Sequence, residues 1–259
     1  MTDMSDVFLD AAIEAGKAIM SIYENGIDVS YKDDASPVTI ADEKAEEIIL
    51  GHLVSAFPDI PVVAEESVAA GRVPDIEGKA FFLVDPLDGT KEFINKREDF
   101  TVNIALIENG VPVSGIVYAP AKGVAYRTTG DGAEKLTLKD DRVAGAVAVS
   151  CRAAGRDLIA VASRSHNSPE TEAFMKKIGV ADFTSVGSSL KFCIVAEGLA
   201  DVYPRFGRTM EWDTAAGDAV LRAAGGRTVG LNDKPLPYGK TRQAEDSDFA
   251  NPFFVVWGS

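Results

Sequence analysis

The segment Asp85-Pro86-Leu87-Asp88-Gly89-Thr90 places two carboxylates three residues apart around a proline, with a glycine and a hydroxyl directly after them. Glu65-Glu66-Ser67 stands about twenty residues upstream, and Trp212-Asp213 follows far downstream. Hard divalent cations take oxygen ligands, and Mg²⁺ in particular combines a few carboxylates with water and substrate phosphate. With Pro86 stiffening the backbone, Asp85 and Asp88 can converge on such ions across a turn, and the Leu87 carbonyl can add a neutral oxygen. Gly89 permits close approach of an anion, and Thr90 opens a helical or turn segment whose N–H groups can face phosphate. Each stretch alone also reads as an ordinary turn or helix cap. Together they point to cations and a phosphate ester handled within one short loop.

These residues need elements to hold them. Phe8, Ala11, Ala12, Ala15, Ile19, Ile22 and Tyr23 recur at helical spacing, and Gly26 follows as a stop. A second helix is predicted from about Ala41 to Ala56, ended by Pro58, and its start falls beside Asp42. Lys79 to Asp85 reads as a buried strand, which puts Asp85 at a strand end. Phe100 to Glu108 and Val111 to Tyr118 form a hairpin across Asn109-Gly110, and Val124–Thr129 and Glu134–Lys139 form another. Beyond Val149 short strands alternate with helices: Leu158–Ala162, Pro169–Ile178, Asp182–Val186, Ser188–Glu197, Asp201–Tyr203, Thr214–Ala224 and Phe253–Trp257. The expected organisation is an α+β half over residues 1–148 carrying the metal loop and an α/β half over 149–259 completing the site at their junction.

Asp85 to Thr90 resembles the D-P-[LI]-D-G-T motif of the inositol monophosphatase superfamily, Glu65-Glu66-Ser67 its upstream acidic motif, and Trp212-Asp213-Thr214-Ala215-Ala216-Gly217 its downstream W-D-x-A-A-G motif. The resemblance covers nearly the whole chain. It implies an αβαβα layered sandwich and lithium-inhibited, Mg²⁺-dependent hydrolysis of a phosphate ester, with two or three ions per site. Carried onto this sequence, it assigns one ion to Glu65, Asp85 and the Leu87 carbonyl, and a second to Asp85, Asp88 and Asp213. It also implies that Thr90 orients a metal-activated water, backed by Asp42, with Glu65 close by. Asp42 has an alternative reading as a helix cap.

Within the superfamily the chain is similar to the CysQ-type 3'(2'),5'-bisphosphate nucleotidases. The similarity rests on Gly89 to Asn95 with Asp99 to Asn103, on Gly187-Ser188-Ser189-Leu190-Lys191-Phe192, and on Tyr203 to Gly207. Inositol monophosphatases generally place a glutamate about seven residues before the W-D aspartate, where this chain has Phe206. An aromatic face beside Arg205 suits a nucleotide better than a polyol, since a base can stack and a guanidinium can pair with a second phosphate. Lys191 can do the same as a point charge; the alternative for both cations is a solvated helix or strand-end charge. The substrate contacts that the resemblance implies are Glu65, Leu87, Asp88, Gly89, Thr90, Lys191, Arg205 and Asp213. Ser163-Arg164-Ser165-His166 resembles a stretch beside the substrate in these nucleotidases, His52 reads as structural, and Arg208 to Glu211 departs from the family pattern.

Composition narrows the remaining classes. The 259 residues carry a formal charge of −14 with 46% apolar and 25% charged residues. That charge opposes nucleic-acid polymers and anionic lipid but not a small phosphorylated substrate gathered by cations. No apolar run spans a bilayer, and nothing near Met1 to Asp10 reads as an export signal, so the expectation is a cytoplasmic protein, with peripheral membrane association left open. Cys151 and Cys193 read as reduced, buried thiols. The expected activity is removal of the 3'-phosphate from 3'-phosphoadenosine 5'-phosphate. Inositol or sugar-phosphate hydrolysis, and a non-catalytic sensor of metal and nucleotide, remain as alternatives. Oligomeric state is not legible.

Overall fold

The computed structural model describes residues 3–26, 29–31, 37–163 and 168–259. Helix α1 (Met4–Asn25) is capped by Asp3, whose side chain accepts from the Ser5 amide, and it ends at Gly26. A short antiparallel pair, β1 (Val29–Tyr31) and β2 (Pro37–Thr39), leads into α2 (Ile40–Ala56). Then come β3 (Val62–Ala64), α3 (Glu65–Ala69), β4 (Phe81–Asp88), α4 (Thr90–Ile94), β5 (Thr101–Glu108) and β6 (Val111–Ala119). β7 (Val124–Thr129), β8 (Gly132–Lys139) and β9 (Arg142–Val149) complete a seven-stranded sheet in the order β3-β4-β5-β6-β7-β8-β9. β3 pairs parallel with β4, and every later pair is antiparallel, the meander expected from the hairpin turns.

The chain then forms β10 (Leu158–Ser163), α5 (Pro169–Lys177), β11 (Val180–Val186), α6 (Leu190–Ala196), β12 (Val202–Arg205), α7 (Ala215–Ala223), β13 (Arg227–Gly230) and β14 (Phe254–Trp257). Its five strands order as β11-β10-β12-β14-β13, with parallel pairing on one side and antiparallel on the other. α1 and α2 cover one face of the large sheet, α6 and α7 fill the space between the sheets, and α5 lies beyond the small sheet. These five layers are the expected αβαβα sandwich. One core, including Phe8, Ile49, Phe82 and Phe100, lies under α1 and α2; a second, including Leu83, Phe192, Val220 and Phe254, joins the two sheets through α6 and α7. No helix among the described residues is long and apolar enough to cross a membrane.

Several local expectations need correction. β4 does not stop at Asp85 but continues through Pro86 to Asp88. β12 runs past Tyr203 and ends at Arg205, which is buried and not a solvated strand-end charge. Apolar spacing predicts neither β9 nor β13. β9 is an edge strand exposed along almost its whole length, so it lacks the apolar and polar alternation that marks a half-buried strand. β13 has only four residues after Gly225-Gly226, too few for a periodic signal. Cys193 is fully buried, whereas Cys151 is only partly so. Burial pushes the Cys151 thiol up to about 11 and the Cys193 thiol well above its usual range, which leaves both poor nucleophiles.

α6 and α7 approach closely because Gly217 has no side chain: a Cβ there would lie 2.7 Å from Cβ and Cγ of Phe192. Gly217→Ala is expected to cost roughly 1–3 kcal/mol by overpacking. Thermal unfolding should show a melting temperature lower by several degrees; an unchanged value would mean that the two helices separate freely.

Candidate active site

The strand pairing explains how Asp85 and Asp88 come to one side. Side chains alternate along a strand, so residues three apart should face opposite ways. In the β4–β5 ladder Asp85 pairs with Asn103 and Asp88 with Thr101, so three steps on β4 match two on β5. The extra residue is a bulge, which reverses the alternation and returns both carboxylates to the same face. A bulge is also where a sheet tolerates proline, and Pro86 sits inside it. Asp85 and Asp88 thus come to one face through an irregular strand, not through a turn.

Asp85 forms the buried floor at 1% exposure, and its Oδ1 accepts from the Leu87 amide at 3.0 Å. Glu65, Asp88, Thr90 and Asp213 lie half-buried around it. Glu65 begins α3 directly after β3, and its neighbour Glu66 is held by Glu46 of α2, whose Oε2 accepts from the Glu66 amide at 2.7 Å. Glu46 Oε1 also accepts from the Ser67 hydroxyl at 2.6 Å. Asp42 and Glu46 are four apart on α2, so one helix face carries both. That spacing, with both side chains buried, is the signal by which Glu46 could have been found.

Asp42 joins its two sequence readings. Its Oδ2 accepts from the Thr39 amide at 2.7 Å and the Thr39 hydroxyl at 2.8 Å, closing a capping box at the start of α2. Its Oδ1 accepts from the Thr90 hydroxyl at 3.2 Å, and that hydroxyl also reaches the Leu87 carbonyl at 3.2 Å. Burial raises the Asp42 pKa to about 6, against the hydrogen bonds from Thr39, with the charge of Glu65 adding to the rise. Gly89 has φ +94°, and a Cβ there would stand 3.0 Å from the Asp99 carbonyl, so only glycine fits the step from β4 to α4 without strain.

The second half closes the site from above. Asp88 Oδ2 accepts from the backbone N–H of Ser189 at 2.6 Å and from its hydroxyl at 2.8 Å. Asp213 Oδ2 accepts from the Met210 amide at 2.8 Å. The unusual stretch before Trp212 frames this turn: buried Glu211 accepts from the Gly239 and Lys240 amides at 2.6 and 2.9 Å and pairs with the Lys240 ammonium at 2.7 Å. Asp99 helps to seat the opposing loop by accepting from the Gly187 amide at 3.3 Å while pairing with Lys122 at 3.0 Å.

Electrostatics tests whether this donor set suits a cation. Burial pushes the Asp85 carboxyl well above its usual range, and the charges of Glu65, Asp88 and Asp213 push it further. Asp213 is raised by burial and then by Asp88 and Glu65. Four mutually repelling carboxylates with a nearby carbonyl are oxygen donors of the kind Mg²⁺ takes, and a divalent cation would relieve their repulsion. As they stand, no three acidic, histidine or cysteine side chains among the described residues close round one point. Asp88 and Asp213 each commit one oxygen to neighbouring donors instead.

Lys191 and Arg205 are not solvated: they are 7% and 9% exposed. The Lys191 ammonium donates to the Ser188 carbonyl and sits 5.4 Å from the centre of the Tyr203 ring. Burial, with a smaller push from the Arg205 charge, lowers its pKa to about 8 against the opposing pull of Asp88, Asp213 and Asp99. Arg205 gives one N–H to the Arg208 carbonyl at 3.0 Å, but its buried Nε has no partner among the described residues. Next to it the Phe206 ring lies 5.3 Å from Phe174 and 5.8 Å from Phe253. His52 bonds Glu14 at 2.7 Å, tying α2 to α1. Arg164, Ser165 and His166 lie outside the described residues.

The layered fold and its rim of carboxylates mark a class of metal-dependent phosphatase. A model of the inositol monophosphatase family matches residues 1–252, and the chain belongs to that family. It is 44% identical over 255 residues to the 3'(2'),5'-bisphosphate nucleotidase CysQ of Shigella flexneri, spanning 98% of this chain and 99% of the relative. Its counterpart in Escherichia coli K12 is 43% identical over the same shares of both chains. Among solved structures, CysQ from Bacteroides thetaiotaomicron superposes with a TM-score of 0.80 at 42% identity, covering 98% of this chain and 96% of that one.

Proposed function

We propose that this protein is a Mg²⁺-dependent 3'(2'),5'-bisphosphate nucleotidase that removes the 3'-phosphate of 3'-phosphoadenosine 5'-phosphate. The observation that carries the reading is a buried pair of cations, Lys191 and Arg205, set against the carboxylates of Asp88 and Asp213. A monophosphate occupies only the metal end of such a site, whereas a second phosphate gives the cations an anion to pair with. Full-length likeness to the CysQ nucleotidases supports the same choice.

Glu65, Asp85, Asp88, Asp213 and the Leu87 carbonyl would hold the ions. Bound Mg²⁺ would supply charge neutralisation on the phosphoryl oxygens and a more acidic water. The Thr90 hydroxyl, donating toward Asp42, is free to accept a hydrogen bond from the attacking water and so to orient it. With a pKa of about 6, Asp42 is suited to take up the proton released through Thr90 near neutral pH. Water adds to phosphorus, the bond to the 3'-oxygen breaks and that oxygen takes up a proton from solvent while Asp42 holds the one released by the water, so the products are adenosine 5'-phosphate and inorganic phosphate. Gly89 and Thr90 would receive the scissile phosphate through their amides, and Lys191 and Arg205 the 5'-phosphate. Because the proposed ligands come from both sides of residue 149, we also take residues 1–148 and 149–259 as the two halves that build the site.

The test is Mg²⁺-dependent phosphate release from 3'-phosphoadenosine 5'-phosphate beside inositol 1-phosphate, with Asp88→Asn as the blank. Strong preference for the nucleotide is expected. Preference for inositol phosphate would overturn the substrate, and nucleotide binding without release from either compound would indicate a sensor.

A further inference from the structure

Ser189 belongs to neither the cation-holding set nor the phosphate-binding set, yet it reaches Asp88, Asp213 and Asn103 at once. It is 2% exposed, just before α6. Its backbone N–H and its hydroxyl both reach Asp88 Oδ2, at 2.6 and 2.8 Å. The same hydroxyl lies 2.6 Å from the Asp213 backbone carbonyl and accepts from the Asn103 side-chain amide at 2.9 Å. Asn103 stands opposite Asp85 in the β4–β5 ladder. One serine therefore touches the bulged strand through Asp88, the neighbouring strand β5 through Asn103, and the turn before α7 through Asp213.

A hydroxyl carries one proton and accepts through its lone pairs. Asn103 fills an acceptor position, so the proton serves either the Asp88 carboxylate or the Asp213 carbonyl, both within reach. With the backbone N–H also on Oδ2, Asp88 is held by that oxygen. We propose that Ser189 is a positioning residue that sets the spacing and orientation of Asp88 relative to Asp213, its proton moving to the Asp213 carbonyl when Asp88 is drawn onto a cation. The inference rests on the proposed metal-dependent function. Partners of this kind, one bond out from a metal ligand, typically change metal affinity by roughly 10- to 100-fold when removed.

The test measures Mg²⁺ binding by calorimetry without substrate, together with kcat and KM for the bisphosphate nucleotide, in Ser189→Ala and Ser189→Thr. Ser189→Ala is expected to weaken Mg²⁺ by about tenfold and to lower kcat with little change in KM, because the phosphate contacts remain. Ser189→Thr keeps the hydroxyl and should restore Mg²⁺ binding to within about threefold of the wild type. Should the added methyl prevent folding, Asn103→Ala replaces it and should weaken Mg²⁺ in the same direction by removing the group that orients the hydroxyl. Wild-type Mg²⁺ affinity in Ser189→Ala overturns the positioning role alone. Absence of Mg²⁺ binding in the wild type overturns the role together with the function on which it rests.

Discussion

Asp213→Asn is expected to reduce Mg²⁺-dependent phosphate release by more than about a hundredfold, since even the outer partners of a metal ligand are worth roughly 10- to 100-fold. Its effect on stability should run the other way. Asp213 sits among Asp85, Asp88 and Glu65, and its charge is among those that raise the Asp85 carboxyl. Asparagine removes that repulsion while its side-chain oxygen can still accept from the Met210 amide. In chelator the variant should therefore melt at the wild-type temperature or slightly above it. Adding Mg²⁺ should raise the melting temperature of the wild type through linkage between ligand and folding, and the variant should lose most of that rise. A variant that melts well below the wild type in chelator, with full activity per folded molecule, would make Asp213 a structural residue.

The second large effect concerns which phosphate esters the site accepts. Lys191→Met and Arg205→Met should each raise KM for 3'-phosphoadenosine 5'-phosphate by about ten- to a hundredfold. That range corresponds to roughly 1.5–3 kcal/mol for a hydrogen bond to a charged group. Hydrolysis of adenosine 3'-phosphate, which lacks the second phosphate, should change little. Discrimination between the two substrates would collapse, and the collapse is the reading that matters. The wild-type preference should also weaken as pH rises through about 8, where Lys191 loses its proton. The sign follows from the charge, because the ammonium exists below that pH and the neutral amine above it. Lys191→Arg, charged throughout, should abolish this limb of kcat/KM. Equal losses on both substrates would place the two cations at the scissile phosphate and overturn the assignment of the second phosphate.

Much of this site is written in local sequence because its chemistry depends on residue type. Carboxylates beside a proline, a glycine and a hydroxyl read alone as a turn or a cap, and it is their combination with the Glu65 and Trp212-Asp213 stretches that points to a cation and phosphate loop. The helices and hairpins follow from apolar spacing and turn residues, so α1, α2 and the meander are legible. Asp42 shows the limit. A helix start with threonine and aspartate three residues apart announces a cap, but nothing local shows that the other carboxylate oxygen reaches Thr90, 48 residues later. Glu46 and Ser189 are ordinary residues by local pattern, and their weight comes from partners 20 to 101 positions away.

By itself the sequence determined the run of helices and strands, the carboxylates of the motifs and the presence of two cations near the nucleotide-like stretches, since residue type and periodicity are local properties; the layered arrangement and the proposed donor roles came from the family resemblance. Only the tertiary structure decided that a bulge turns Asp85 and Asp88 to the same face, because strand register is set by pairing with β5. It alone decided that Lys191 and Arg205 are buried beside carboxylates, since burial depends on what the rest of the chain packs over them. Ser189 likewise gains its position only when the two sheets close on α6 and α7 and bring Asp88, Asn103 and Asp213 within reach of one hydroxyl.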